Sequence, residues 1–105
     1  MRIPEKINIG DKIGIISTAR KISLEELSPA IKMLESWGLK VVLGSNLFEK
    51  YNQFAGTIKQ RSFDLQRMID DDSIKGILCA RGGYGTVQII ENINFFSLKK
   101  KPKWI

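Results

Sequence analysis

Ile74-Lys75-Gly76-Ile77-Leu78-Cys79-Ala80-Arg81-Gly82-Gly83-Tyr84-Gly85-Thr86 decides the reading of this chain. Its first six residues are largely apolar, the pattern of a short strand buried on both faces. They run into three glycines within four positions, Gly82, Gly83 and Gly85. Missing side chains there permit backbone angles closed to other residues and let a ligand approach the amides. Val87, Ile90 and Ile93 then recur at helical spacing, which makes the glycines a strand-to-helix turn. Such a turn aims free N–H groups at negative charge.

The residues before this turn repeat the same theme. A lead-in over residues 1–11 ends in a Gly10-Asp11 turn, and Lys12-Ile13-Gly14-Ile15-Ile16-Ser17 is a second doubly buried strand. It stops at Ser17-Thr18-Ala19-Arg20, a small polar loop at a carboxyl strand end, where open α/β sheets place ligands. A helix is predicted over 23–37, with Leu27, Ile31, Leu34 and Trp37, flanked by Ala30 and Met33, as its apolar face. Two starts compete: a capping box from Ser23 and Glu26, or Ser28 as cap with Pro29 at the first helical position. Gly38 closes the helix and residues 39–43 form a strand.

Residues 44–56 show no period and hold Phe48, Tyr51 and Phe54 among polar neighbours, a loop long enough to be functional or flexible. A second helix is predicted over 57–70, opened by a Thr57/Gln60 capping box. Its face runs through Ile58, Arg61, Leu65, Met68 and Ile69, with Arg61 as a polar interruption. Asp70-Asp71-Asp72 ends it, because negative charge is disfavoured at a helix C-terminus. Beyond the glycine turn and its helix, residues 94–98 are expected to plant Phe95 and Phe96 on the core, and Lys103-Trp104-Ile105 to begin a fourth strand. Strands alternating with helix-length crossovers give an α/β fold: an open parallel sheet with helices on both faces.

Composition narrows the function. The 105 residues allow one domain at most, and a 43% hydrophobic share is ordinary for a globular chain. Apolar runs are of strand length, so no membrane partner is expected, and no apolar segment follows the charges of the N-terminus to make a leader. A single cysteine excludes an internal disulfide and fits a reducing compartment. The net charge of +6 is concentrated in Lys99, Lys100, Lys101 and Lys103. Without a basic face and interleaved aromatics, nucleic acid is not an expected partner.

There is no histidine, so no Ser-His-Asp or Cys-His set can form from these residues alone, and no metal site is expected. No cofactor motif is present either: the turn lacks both the P-loop pattern and G-x-G-x-x-G spacing. Cys79 reads as a buried structural thiol, and Asp64, Asp70, Asp71, Asp72 and Glu91 as solvated surface. For the glycine turn three readings stay open: a ligand-free turn, a phosphate cradle in a flavodoxin-like binding module, and an oxyanion hole.

The run Ala80-Arg81-Gly82-Gly83-Tyr84-Gly85-Thr86 resembles the N-terminal domain of the LD-carboxypeptidase family of serine peptidases, which includes murein tetrapeptide carboxypeptidases and microcin-immunity hydrolases. Residues 10–15, 34–38, 54–57, Arg61 and Asp64-Leu65 are similar to the family in the same order. The resemblance implies a flavodoxin-like domain followed by a separate C-terminal domain, and a cytoplasmic enzyme that removes the terminal D-alanine from murein tetrapeptide during peptidoglycan recycling. It implies a Ser-Glu-His triad with the serine on an elbow just after a strand like that beginning at Lys103, and the other two members in the C-terminal domain. No catalytic residue is therefore expected within the chain, whose sheet would be truncated at the start of the fourth strand and inactive alone. Gly82, Gly83, Tyr84 and Gly85 would form the oxyanion and substrate loop, and Ser17, Thr18 and Arg81 would line the cleft. A microcin-like peptidyl nucleotide is the alternative substrate. An unfinished sheet edge would favour self-association into a homodimer.

Overall fold

A computed structural model of the chain describes residues 6–19, 21–48, 56–80, 89, 92–95, 97–98, 103 and 105. The elements follow in the order β1 (Lys12–Ile16), α1 (Leu24–Ser36), β2 (Lys40–Leu43), α2 (Ile58–Asp70) and β3 (Ile74–Cys79). The three strands make one parallel sheet in the order β2-β1-β3. Because the chain steps from β1 to β2 in one direction and then crosses back to β3, right-handed connections put α1 and α2 on opposite faces.

β1 shows why its run of apolar residues is continuous. Neighbouring residues of a strand point to opposite faces. Ile15 packs with Leu27, Ile22 and Leu47 in one cluster, to which Ala30, Ile31 and Leu34 of α1 add partial cover. Ile16 packs with Leu65, Met68 and Ile69 of α2 in the other, together with Ile74, Ile77, Ile89 and Ile93. The burial of Ile89 and Ile93 in this second cluster places the start and end of the segment after the glycine turn on the α2 side.

Both helices open on reciprocal caps. Ser23 Oγ accepts from the Glu26 N–H, and the Glu26 carboxylate accepts from the Ser23 N–H. This selects the earlier of the two predicted starts and leaves Pro29 inside α1. The proline cannot donate to the carbonyl of Glu25, and Glu25 is an exposed residue. Thr57 and Gln60 form the same box on α2. Gly38 follows α1 at φ +84°, a backbone angle that side chains resist, and its carbonyl accepts from Gly10 N–H at 2.7 Å, tying the lead-in to the helix end.

Several expectations are corrected. Met33 of α1 and Trp37 at its C-terminal cap are about half exposed, because α1 seats on the sheet through Leu27 and its neighbours a turn away. Trp37 instead lines an open apolar groove of about 540 Å³ with Ile9, Ile13, Leu78 and Ile105. Phe95 is 40% exposed and so is not planted on the core, while Phe96 lies outside the described residues. The segment after β2 is not a loose loop where it is described: Leu47 is 1% exposed and belongs to the α1-side core. Tyr51 and Phe54 lie outside the described residues. Lys103, expected to open a fourth strand, is buried, and its ammonium donates to the carbonyls of Ile74 at 2.6 Å and Asp71 at 2.5 Å. It therefore sits at the amino end of β3, where a parallel neighbour would begin. Among the described residues no helix is long and apolar enough to cross a membrane.

Candidate active site at the carboxyl ends of the strands

In the order β2-β1-β3, β1 and β3 are neighbours whose outgoing connections leave toward opposite faces, α1 on one and the Ile89/Ile93 segment on the other. The carboxyl ends of two strands that diverge in this way are the usual ligand position in such sheets. Ser17 and Thr18 follow β1 there, and Ala80 follows β3, its N–H donating to the Ile16 carbonyl at 2.7 Å. The glycine turn follows Ala80 in sequence, so pairing of β1 with β3 brings its root beside Ser17-Thr18. Arg81, Gly82, Gly83, Tyr84 and Gly85 themselves lie outside the described residues.

Ser17 and Thr18 are each 3% exposed and form a buried shelf rather than an open rim. The Thr18 hydroxyl hydrogen-bonds Cys79, the last residue of β3. Burial pushes the Cys79 thiol up from its ordinary range, and the hydroxyl works against that by stabilising the thiolate. Cys79 is only partly buried, short of the fully buried thiol expected, and its environment disfavours the thiolate.

Two charged residues of α2, three apart, hold this end of the sheet. Arg61 is 2% exposed, and its Nη1 donates to the Thr18 carbonyl at 3.0 Å. Burial lowers its pKa, but arginine starts so high that the guanidinium stays cationic. Asp64 is 3% exposed, and its carboxylate accepts from the Asn46 N–H at 2.9 Å, from Asn46 Nδ2 at 3.1 Å and from Ser45 Oγ at 3.4 Å. Burial raises its pKa and the hydrogen bonds from Asn46 and Ser45 oppose the rise. Gly44 makes this close approach possible: a Cβ there would stand 2.6 Å from Asp64 Oδ2. Arg61 therefore fixes the end of β1 and Asp64 the turn after β2.

Asp64 overturns the expectation that it is solvated surface, whereas Asp70, Asp71 and Asp72 are exposed as expected and Glu91 lies outside the described residues. Asp71 caps the C-terminus of α2 and accepts from Ser73 N–H and Oγ, bonds that hold its carboxyl below the usual range. The roles of Arg61 and Asp64 were missed in the sequence, although one signal was present. A charged residue on an otherwise apolar helical stripe is either buried with partners or breaks the stripe.

The chain matches the family model for the LD-carboxypeptidase N-terminal domain over residues 13–105. It is 39% identical over 100 residues to the probable murein peptide carboxypeptidase of Bacillus subtilis, covering 95% of this chain and 31% of the relative. Over 91 residues it is 31% identical to the murein tetrapeptide carboxypeptidase of Pseudomonas aeruginosa, covering 87% of this chain and 30% of that one. The fold superimposes on the microcin C7 self-immunity protein MccF with a TM-score of 0.90 at 20% identity, covering 98% of this chain and 32% of that structure. The chain thus spans about a third of the length of the curated relatives it matches.

Proposed function

Since the chain belongs to the LD-carboxypeptidase family and matches its N-terminal domain, we propose that it forms one wall of the active site of a serine carboxypeptidase acting on murein peptides. The reaction is removal of the terminal D-alanine from the tetrapeptide during peptidoglycan recycling, in the cytoplasm. What supports this reading is the pairing of β1 with β3, which brings Ser17-Thr18 beside Ala80, the root of the glycine turn.

In this proposal the nucleophilic serine and its Glu and His partners come from residues beyond these 105, which hold no histidine. The serine attacks the carbonyl of the bond to D-alanine. An amide of the Gly82-Gly83 turn, in the loop that Tyr84 and Gly85 complete, then meets the oxyanion, a contribution of about 3 kcal/mol for a single well-placed donor. Arg81 and the Ser17-Thr18 shelf orient the substrate peptide. The murein substrate is preferred over a microcin-like peptidyl nucleotide because the relatives named for murein are 39% and 31% identical, whereas MccF, at 20%, shares the fold alone.

The test assays D-alanine release from murein tetrapeptide by the 105-residue chain, alone and mixed with the remaining C-terminal part of the Bacillus subtilis relative. No release alone and release on mixing are expected. Release by the chain alone, or none from a mixture in which the two parts demonstrably bind, would overturn the proposal.

A further inference from the structure

We propose that the open apolar groove beside α1 is a docking surface, and that its occupant is an amphipathic helix from the polypeptide that the family's longer members carry beyond the part matched by this chain. The inference rests on membership of the family and not on the reaction proposed above.

The two faces of β3 are unequally covered. Ile74 and Ile77 are 1% and 3% exposed and pack with α2, Ile89 and Ile93. Gly76 and Leu78 stand in register with Ile13 and Ile15 of β1 and so belong to the α1 face. There α1 packs over Ile15 and Val41, and Leu78 beside them is 41% exposed. The result is the groove of about 540 Å³, floored by Ile13 and Leu78, walled by Trp37 and rimmed by Ile9 and Ile105. Ile9, Trp37 and Ile105 are 85%, 59% and 65% exposed, so large apolar side chains gather around one depression. Such a patch marks a contact, and parallel sheets are ordinarily covered on both faces. Asn8 is the one polar residue among the described ones that line it, which calls for an apolar occupant. The groove lies toward the amino ends of the strands, where Ile9 and Leu39 sit, away from the candidate site at their carboxyl ends.

Handedness indicates which polypeptide covers it. A right-handed connection from β3 outward to a further parallel strand runs on the α2 side, where Ile89 and Ile93 are buried. Lys103, bonded to the Ile74 carbonyl, lies where that strand would begin. Only polypeptide returning from beyond the outermost strand reaches the α1 side over β3. The relatives hold such polypeptide, because this chain spans about a third of their length. A helix suits the place: beside one helix on a sheet face a second seats at about 10 Å, whereas a strand would need a free edge for its hydrogen bonds.

Trp37 supplies a readout independent of activity. The 105-residue chain is labelled with fluorotryptophan, the Trp37 resonance is assigned with Trp37→Phe, and the remaining C-terminal part of the Bacillus subtilis relative is titrated in. The fluorine resonance of Trp37 is expected to respond to exchange of water for heavy water in the chain alone and to lose that response in the complex. Ile9→Glu and Leu78→Glu are each expected to weaken binding at least about tenfold, since the occupant would bury an unpaired charge. Phe63→Glu, at a similarly exposed residue of α2, is expected to leave it unchanged. A Trp37 that stays open to water in the complex, or equal weakening by Phe63→Glu, would overturn the proposal. So would a Trp37 already shielded in a dimer of the chain alone, which would make a second copy the occupant. Should Leu78→Glu not fold, Ile9→Glu carries the test. If the two parts do not associate, a single polypeptide joining them is measured: a shielded Trp37 supports docking and an open one overturns it. A photo-crosslinking phenylalanine in place of Ile9 is expected to capture residues spaced three and four apart, one face of a helix; capture at alternate residues would overturn the helical occupant. Docking in a mixture that releases no D-alanine would refute the carboxypeptidase reading and support the surface.

Discussion

The two helices α1 and α2 are each 13 residues long and each begins with a reciprocal capping box, yet they meet the sheet by different means. α1 packs on it through apolar side chains, Leu27 foremost, and Met33 and Trp37 are left half exposed. α2 buries Arg61, Ser62 and Asp64 beside Leu65, Met68 and Ile69, while its Phe63 is 52% exposed. An arginine inside and a phenylalanine outside invert the usual order of burial. The inversion has a local cause: the first turns of α2 lie over the carboxyl ends of β1 and β2, where backbone groups leave the ladder and need partners. α1 supplies cover, and α2 supplies cover together with position.

The strongest way to break this contrast is to damage α1. Leu27→Ala removes the one fully buried side chain of that helix and is expected to lower stability by about 3 kcal/mol in urea unfolding. It should leave the Cys79 titration where it was. A shifted thiol in this variant would show that the apolar helix also sets the site, and the division of labour would fail.

A smaller effect separates capping from gripping. Ser23→Ala and Thr57→Ala each remove a cap oxygen, at a cost of about 1 kcal/mol. Amide exchange should distinguish them: Thr57→Ala is expected to speed exchange at Asn46, whose N–H bonds Asp64 about two turns into α2, whereas Ser23→Ala leaves it unchanged. Equal protection of Asn46 in both variants would argue that the start of α2 does not govern the turn after β2.

The smallest effect is a slope. Burial holds Asp64 above its ordinary pKa in the folded protein, so over that interval the folded state binds more protons than the unfolded one. The associated stability is fully present below the unfolded carboxyl value of about 3.9. It is lost as pH rises through the folded value. Asp64→Asn removes the titration, and urea midpoints of the two proteins should converge or cross from pH 4 upward as wild type loses this increment. Parallel curves would mean that Asp64 is not buried as described.

Which parts of this molecule could be read beforehand follows from the range of the forces involved. The strands at Lys12–Ile16 and Ile74–Cys79, both caps and the end of α2 at Asp70 rest on neighbours within a few residues, and periodicity and capping chemistry report such neighbours directly. The glycine turn and the family resemblance belong to the same local class, being ordered motifs along one stretch. The fate of charged side chains is another matter. By composition Arg61 and Asp64 belong in water, and only the fold reveals that Thr18, 43 positions away, and Asn46, 18 positions away, wait for them inside. The β2-β1-β3 order created those encounters by placing the first turns of α2 beside the residues that follow β1 and β2. The sequence by itself determined the elements and their kin. The tertiary structure decided which polar groups lost their water, because desolvation depends on neighbours that the order of residues does not place side by side.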